Sequence, residues 1–125
     1  MNAPLMEARD VAVQFRTRRV ISRAVDGVSL AWRRGEVLGI VGESGCGKST
    51  LARTLLGLQE TAAGEIAFHG SPVAGKRDFR GLRRRVQMIF QDPYQTLNPR
   101  QRVGTIVVEP LVVQGVPPEE HERLV

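Results

Sequence analysis

Residues Gly42 to Ser49 have the types and the spacing of a loop that holds phosphate groups. Their sequence, GESGCGKS, fits the pattern G-x-x-x-x-G-K-[ST]. A phosphate chain is held by backbone N–H groups that all point inward, and such a loop needs residues that allow close approach and unusual dihedrals. Gly42, Gly45 and Gly47 meet that need. We therefore expect a phosphate cradle in front of a helix, whose unpaired N–H groups and positive dipole end add to the attraction.

Three side chains at the end of this loop have roles that follow from their chemistry. The Lys48 ammonium is expected to reach the β- and γ-phosphates of a nucleotide, and the Ser49 hydroxyl to ligate Mg²⁺. Thr50 adds a hydroxyl next to the α- or β-phosphate. The other residues predicted to line the nucleotide are Glu43, Ser44 and Cys46. For Cys46 a small residue that fills the loop is a better interpretation than a nucleophile, since no histidine is placed to act as its base.

The elements around the loop are those that a phosphate site requires. The continuous apolar run Val37–Val41 predicts a strand buried on both faces of a parallel sheet. Residues Lys48–Leu58 carry leucines at helical spacing and predict a helix that ends near Gly57. Because a strand precedes the loop and a helix follows it, the sequence predicts a nucleotide-binding site.

Hydrophobic periodicity predicts the remaining elements, and no internal repeat or linker divides the chain. Strands are predicted at residues 5–15, 24–32, 65–69 and 86–90, with turns or loops at 61–64, 70–76 and 92–99. Helices are predicted at 79–85 with Asp78 as the cap, at 103–113 with Pro110 as a kink, and from Pro117 onward.

Composition excludes several classes of protein. The 125 residues, of which 42% are hydrophobic and 25% charged, suit one globular domain. No apolar run approaches the roughly 18 residues that a membrane-spanning helix needs, and the first residues lack the layout of a secretion signal. The single cysteine excludes a disulfide framework and a multi-cysteine metal site. The net charge of +5 is compatible with nucleic acid, a membrane surface or an anionic ligand, although solvated surface arginine is the simpler interpretation.

An ATP hydrolase also needs an acid that follows an apolar strand and holds Mg²⁺ or polarises water. Asp92 follows the apolar run at 86–90, but Gln91 lies between them. Glu109 follows an apolar run that is better interpreted as helix. The residues by themselves therefore leave the catalytic acid unassigned.

The string GESGCGKST at residues 42–50 resembles the Walker A motif of ABC-transporter ATPases. The strings FQDPY at 90–94, LNP at 97–99 and AVDGVS at 24–29 narrow the resemblance to the ATP-binding subunits of oligopeptide and dipeptide ABC importers. It covers nearly the whole chain from about Leu5 onward. The resemblance implies an α/β fold with a P-loop NTPase core and an antiparallel β portion formed by the early strands.

The resemblance also implies roles for three residues outside the loop. Gln91 would be the Q-loop glutamine that contacts Mg²⁺ and the attacking water and senses a transmembrane partner, since its amide both donates and accepts. Phe15 matches the aromatic position that stacks on adenine, and Val25 lies where the family lines the same pocket. Ordinary strand packing is an equal alternative for Phe15, and a solvent-facing residue at a strand end is the alternative for Gln91.

Other motifs of the family, namely the signature motif, the Walker B acid with its adjacent glutamate and the switch histidine, do not occur in residues 1–125. His69 and His121 have a different context and are expected at the surface. The resemblance thus implies that residues 1–125 are the N-terminal part of an ABC-type nucleotide-binding domain, truncated before those motifs. We expect the parent protein to hydrolyse ATP, and these residues alone to bind ATP and Mg²⁺ with negligible turnover.

The function that the resemblance implies is the coupling of ATP binding and hydrolysis to peptide import. Its partners would be transmembrane permease subunits and a second ATP-binding subunit, identical or different, on the cytoplasmic side of the inner membrane, with no nucleic acid. Relatives that move nickel or glutathione share the pattern. Two alternatives stay open: a nucleic-acid-associated ABC ATPase, which the positive charge favours and the lone cysteine opposes, and a non-catalytic remnant that binds nothing.

Overall fold

The computed structural model describes residues 3–125, apart from the side chains of Pro93 and Gln95. The chain divides into two units, a first that ends at Val86 and a second, Gln87–Val125. Each unit is described by itself below.

The first unit is built on one antiparallel sheet of four strands. The strands are β1 (Met6–Arg16), β2 (Ile21–Trp32), β3 (Ala63–Phe68) and β4 (Ser71–Pro72), in the spatial order β2-β1-β3-β4. The early strands predicted from alternation are confirmed, although β2 and β3 each begin before their predicted first residue, and β4 lies in a predicted loop. Since β1 is paired along both edges, it is the central long strand of the sheet.

An irregularity near Asp10 bends β1 in the middle of its length. Asp10 adopts a left-handed φ of 48°. Its backbone N–H donates to Ser29 Oγ at 2.8 Å, and that hydroxyl donates to Asp10 Oδ1 at 3.1 Å. On the other edge of β1, a Cβ on Gly64 would overlap the Asp10 and Arg9 carbonyls. Strands β2 and β3 therefore hold the bend from both sides, and Gly64 is required by close backbone approach.

The core of the first unit lies between one face of the sheet and helix α1 (Lys48–Leu55). Val11 and Val13 of β1 are fully buried, in agreement with the alternation that predicted the strand. The other buried apolar residues are Met6, Ala8, Val25, Leu51, Leu55, Leu56, Ile66, Ala67 and Leu82. Thr54 is buried too, and its hydroxyl donates to the Thr50 carbonyl at 2.8 Å.

Helix α1 begins at the predicted residue but ends earlier than predicted. Its C-terminal end is closed by the N–H groups of Gly57 and Leu58, which donate to the carbonyls of Thr54 and Arg53. Gly57 takes a positive φ of 65° there, which a glycine does without strain. The helix therefore stops at Leu55, and Leu58, which the spacing placed on its buried face, is 46% exposed.

Helix α2 (Gly75–Arg83) begins four residues before the prediction of 79–85. Asp78 was expected to precede the helix as its cap. It lies instead inside the first turn, where its Oδ2 accepts the backbone N–H of Ala74 at 3.1 Å. The carboxylate caps the helix by reaching back rather than forward, so the helix starts before it.

The prediction of buried parallel strands at 37–41 and 86–90 is wrong for the structure described. Neither segment is a strand. Val37 and Val41 are each 96% exposed, and so is Ile89 in the other segment. A strand needs the N–H and C=O groups of a neighbour, and within residues 3–125 the paired strands are β1 to β4 alone. An apolar run indicates that a segment can form a buried strand, but these two segments have no neighbouring strand to pair with among the described residues.

The second unit is helical. It contains α3 (Pro93–Thr96), α4 (Val103–Gln114), a 3₁₀ turn (Pro118–Glu120) and α5 (His121–Leu124). The helix predicted at 103–113 is confirmed with Pro110 inside it, and the predicted loop 92–99 contains the short α3. No helix formed by the described residues is both long and apolar enough to span a membrane.

Candidate phosphate-binding site

The glycine-rich segment forms a loop in which two glycines adopt left-handed backbone conformations. Gly45 has a φ of 80° and Gly47 a φ of 98°. Gly47 is also the N-cap residue of α1, directly before Lys48. A Cβ at this position would overlap the Ala24 carbonyl of β2. Glycine is therefore required at Gly47 on two grounds, the dihedral and the close approach of β2.

The N-terminal end of α1 opens directly onto this loop. Gly47 has no side chain that could cap the helix, and the first turn carries no acidic residue. The unpaired N–H groups of the first turn and the positive end of the helix dipole therefore stay uncompensated by side chains. An anion at such an end gains roughly 0.3–1 kcal/mol from the dipole alone.

The Lys48 ammonium is folded back over the loop. Its Nζ donates to the carbonyl of Gly42 at 2.7 Å and to the carbonyl of Glu43, and it lies 3.5 Å from the Cys46 Sγ. A Cβ on Gly42 would come within 2.7 Å of the same sulfur, so the loop closes tightly around the lysine. These contacts hold one positive charge at the centre of a ring of backbone groups, which is the place where a phosphate would need it.

A cavity of about 600 Å³ adjoins the loop. Four residues predicted from sequence line it together, namely Val25, Cys46, Gly47 and Lys48, with apolar walls from Leu38, Ile40 and Leu51. Val25 is buried, so its side chain forms part of the packed wall. The cavity thus combines apolar walls with a few charged side chains, those of Lys48, Arg23 and Asp26, which is the general character of a small-molecule site.

The other predicted site residues lie elsewhere. Ser49 is exposed on the first turn of α1, next to the half-buried Thr50, and Glu43 and Ser44 are exposed in the loop. Phe15 is paired with Ser22 near the end of β1 and is 42% exposed, and it does not line the cavity beside Lys48.

Gln91 belongs to the second unit, where it is exposed at a bend that follows residues 86–90. Its coupling role stays a prediction, as do the adenine contact of Phe15 and the Mg²⁺ contact of Ser49. Among the described residues, no group of three or more His, Cys, Asp or Glu side chains is arranged to hold a metal ion.

Sequence reasoning missed one part of the site, the contribution of the β2 backbone. The Ala24 carbonyl forms the wall against which Gly47 packs. Residues 24–29 are predicted as part of a strand and resemble a family string, but neither interpretation predicts this contact, because a contact made by a backbone carbonyl leaves no requirement on its own side chain.

The sequence and the fold were compared with those of known proteins. The profile of the ABC transporter family matches residues 25–123. A protein of Brucella ovis, whose name assigns it to peptide import as an ATP-binding protein, is 46% identical over 115 residues, which are 90% of this chain and 36% of that protein. A similarly named protein of Brucella abortus (strain 2308) is 55% identical over 100 residues, 78% of this chain and 30% of that protein. The chain spans about a third of the length of these curated relatives.

Two solved structures share the fold. The cbiO1 protein of Clostridium perfringens, part of the ABC transporter complex cbiONQ, superposes with a TM-score of 0.72 at 24% identity. The superposition covers 96% of this chain and 47% of the cbiO1 chain. The ATP-binding cassette MJ0796, solved as a dimer bound to ADP and Pi, gives a TM-score of 0.75 at 23% identity, with 94% and 53% covered. At these identities the likeness establishes the fold, of which this chain contains an incomplete version.

Proposed function

Since the chain belongs to the ABC transporter family, we propose that it is the phosphate-binding part of an ATP-binding subunit that couples ATP hydrolysis to peptide import. The resemblance seen in the sequence is thereby confirmed at the level of the family and the fold. The assignment to peptides is supported by the names of the relatives that are 46% and 55% identical.

The observation that carries the proposal is the geometry of the loop before α1. Gly45 and Gly47 have positive φ, the Gly47 position excludes a Cβ, and α1 presents an uncapped N-terminal end. These features fit a chain of phosphate groups held by backbone N–H donors. The residues present therefore suit ATP, and the exposed Ser49 hydroxyl suits Mg²⁺ as an oxygen ligand.

Each residue of the loop has a separate task in this proposal. The backbone from Gly42 to Gly47 orients the phosphates, and Lys48 exchanges its carbonyl contacts for the β- and γ-phosphate oxygens, keeping its charge in the loop. Ser49 would hold Mg²⁺, with Thr50 next to the α- or β-phosphate. When bound, Mg²⁺ supplies charge neutralisation at the transferred phosphate.

The parent protein is proposed to hydrolyse ATP, with Gln91 positioning water and Mg²⁺ and responding to the permease. Its partners are proposed to be transmembrane permease subunits and a second ATP-binding subunit, at the cytoplasmic face of the membrane. Because the catalytic acid of the family has no counterpart in residues 1–125, we expect these residues alone to bind nucleotide with negligible turnover.

Thermal unfolding with and without Mg-ATP tests the binding step. A ligand at 100 times its Kd that binds only the folded state stabilises it by about 2.7 kcal/mol, so the Tm should rise by several degrees. Lys48→Ala should remove the rise. Lys76→Ala is the matched control, because Lys76 is the chain's other lysine and lies exposed on α2. An equal rise in Lys48→Ala, or none in the unaltered protein, contradicts the proposal.

Two further measurements separate the remaining steps. Steady-state phosphate release from residues 1–125 should be near background, and turnover that Lys48→Ala abolishes would show that the hydrolytic groups are already present.

Uptake of a labelled dipeptide by cells that lack the gene should fall and be restored by the unaltered gene. Normal peptide uptake with lost nickel uptake would contradict the assignment to peptides while leaving ATP binding intact.

A further inference from the structure

The net positive charge of the chain comes from one short segment. Residues 76–85 contain six of the 18 basic residues and only one of the 13 acidic residues. The remaining 115 positions hold twelve of each sign, so this segment accounts for the whole net charge of +5. It comprises most of α2 and the turn that ends at Arg85. A field of this kind attracts anions to one place on the surface.

At the C-terminal end of this segment the first unit has a second cavity, separate from the one beside Lys48. Its volume is about 310 Å³. Three of its lining residues have cationic or titratable side chains and come from three different parts of the sequence: Arg34 from the turn after β2, His69 from the turn after β3, and Arg85. The others, Leu5, Phe68 and Val86, are apolar.

The side chains of Arg34, His69 and Arg85 are not used to hold the fold. Across the described part of the chain, none of the three forms a side-chain hydrogen bond or an ion pair. In contrast, Arg9, Arg23 and Arg123 are each paired with an acid. Arg34 and Arg85 thus bring two guanidinium groups to one cavity without a counter-charge, and an anionic ligand would supply that charge.

His69 is held in place by its neighbours. Its backbone N–H donates to the Leu5 carbonyl at 2.9 Å, and its φ is 50°. Its ring lies edge to face with the Phe68 ring, with centroids 4.6 Å apart. The imidazole is therefore positioned at the cavity before any ligand binds.

We propose that the cavity lined by Arg34, His69 and Arg85 binds a phosphate group. The planar guanidinium forks match phosphate oxygens in pairs, which a single ammonium does not. Such a group has two sources, a soluble phosphate monoester or the headgroup of an anionic phospholipid. The proposal does not depend on the nucleotide-binding function, since no residue of the loop from Gly42 to Thr50 lines this cavity.

Calorimetric titration of the purified protein with glycerol 3-phosphate tests the soluble source. Co-sedimentation with phosphatidylglycerol vesicles, compared with phosphatidylcholine vesicles, tests the lipid source.

Arg34→Gln and Arg85→Gln should each weaken binding roughly three- to tenfold, as expected for loss of a charged hydrogen bond at a partly exposed site. Arg19→Gln is the matched control, because it removes the same charge from an exposed turn between β1 and β2 and should change binding less than about twofold.

The titrations are read in the Lys48→Ala background, because the loop before α1 is itself proposed to hold phosphate groups, and binding that remains in this background belongs to the cavity lined by Arg34, His69 and Arg85. Binding of glycerol 3-phosphate, or selective binding to phosphatidylglycerol, supports the proposal and identifies the source. The absence of both overturns it. Equal weakening by Arg19→Gln also overturns it, because the effect would then belong to net charge. Circular dichroism of each variant should match the unaltered protein, so that a binding loss is not a folding loss.

Discussion

Strand β1 and the segment at residues 37–41 both lie in the first unit and both contain closely spaced valines, yet these valines differ completely in burial. Val11 and Val13 of β1 are 0% exposed, whereas Val37 and Val41 are each 96% exposed. β1 has a hydrogen-bonded neighbour on each side, and the segment at 37–41 has none among the described residues. The difference shows that hydrogen bonding to neighbouring strands, more than the composition of a segment, decides whether that segment forms a strand.

The difference matters because the segment at 37–41 leads directly into the phosphate loop. The loop is held on its other sides, by α1 and by the Ala24 carbonyl of β2. We therefore expect the sheet to carry the stability of the first unit, and the entry to the loop to contribute little. The following predictions test that division, from the largest expected effect to the smallest.

Two glycines, Gly64 in strand β3 of the sheet and Gly39 in the segment at 37–41, give the strongest contrast. In Gly64→Ala the new Cβ would overlap backbone carbonyls of β1 at a φ of 87°, and we expect a loss of about 3 kcal/mol or more in the free energy of unfolding. In Gly39→Ala the new Cβ meets nothing within 4 Å, so the change should stay within about 0.5 kcal/mol. Urea denaturation measures both. Similar losses would mean that the segment at 37–41 is as constrained as β3.

A pair of valines tests burial in the same way. Val11→Ala should cost about 2 kcal/mol, because it removes two buried methyl groups from the core and leaves a cavity. Val37→Ala should cost less than about 0.5 kcal/mol, because the side chain is already in water. The midpoints of urea unfolding give the comparison. A large effect at Val37 would show that this segment is packed in solution.

The smallest expected effect concerns an ion pair on the surface of β1 and depends on pH. Arg9 donates two hydrogen bonds to the Glu7 carboxylate, at 2.9 and 2.8 Å, and this holds the pKa of Glu7 below its ordinary value of 4.5. Because the carboxylate loses its proton more readily in the folded chain, the pair contributes stability above the unfolded pKa. That stability is lost as the pH falls through the lowered folded value.

Arg9→Gln should therefore lower the Tm slightly at pH 7 and leave it unchanged at a pH where Glu7 is protonated in both states. Unfolding followed by circular dichroism across that range, at low salt, checks the expectation. Added salt should shrink the difference, since the pair is at the surface. A difference between Arg9→Gln and the unaltered protein that persists unchanged into strong acid would assign the effect to packing of the arginine stem.

Local features of the site and the sheet could be predicted from sequence. The start of α1 at Lys48 is confirmed, and so are the positive φ values of Gly45 and Gly47 that a phosphate loop demands. The strands around Val11 and Val28 are confirmed as well. In each case the deciding interactions lie within a few residues of one another, or repeat along one strand.

Three other features could not be predicted correctly from the sequence. The helix predicted to end near Gly57 ends at Leu55, because Gly57 and Leu58 lie beyond its last residue and donate their N–H groups back to the Thr54 and Arg53 carbonyls. The start of α2 was placed too late, because Asp78 reaches back to Ala74. The segment at 37–41 was predicted to be buried, because composition does not reveal whether a partner strand is present.

The sequence by itself determined that this chain carries a glycine-rich loop with the pattern of a phosphate-binding site, with a lysine at its end and a helix directly behind it. The dihedrals of the loop glycines and the start of α1 are local, so residue type and spacing were enough to specify them. The tertiary structure alone decided which apolar runs are buried, which carbonyl packs against Gly47, and that Arg34, His69 and Arg85 meet at one cavity. Burial, strand pairing and the convergence of charges each require groups far apart in the chain, and only the folded chain brings those groups together.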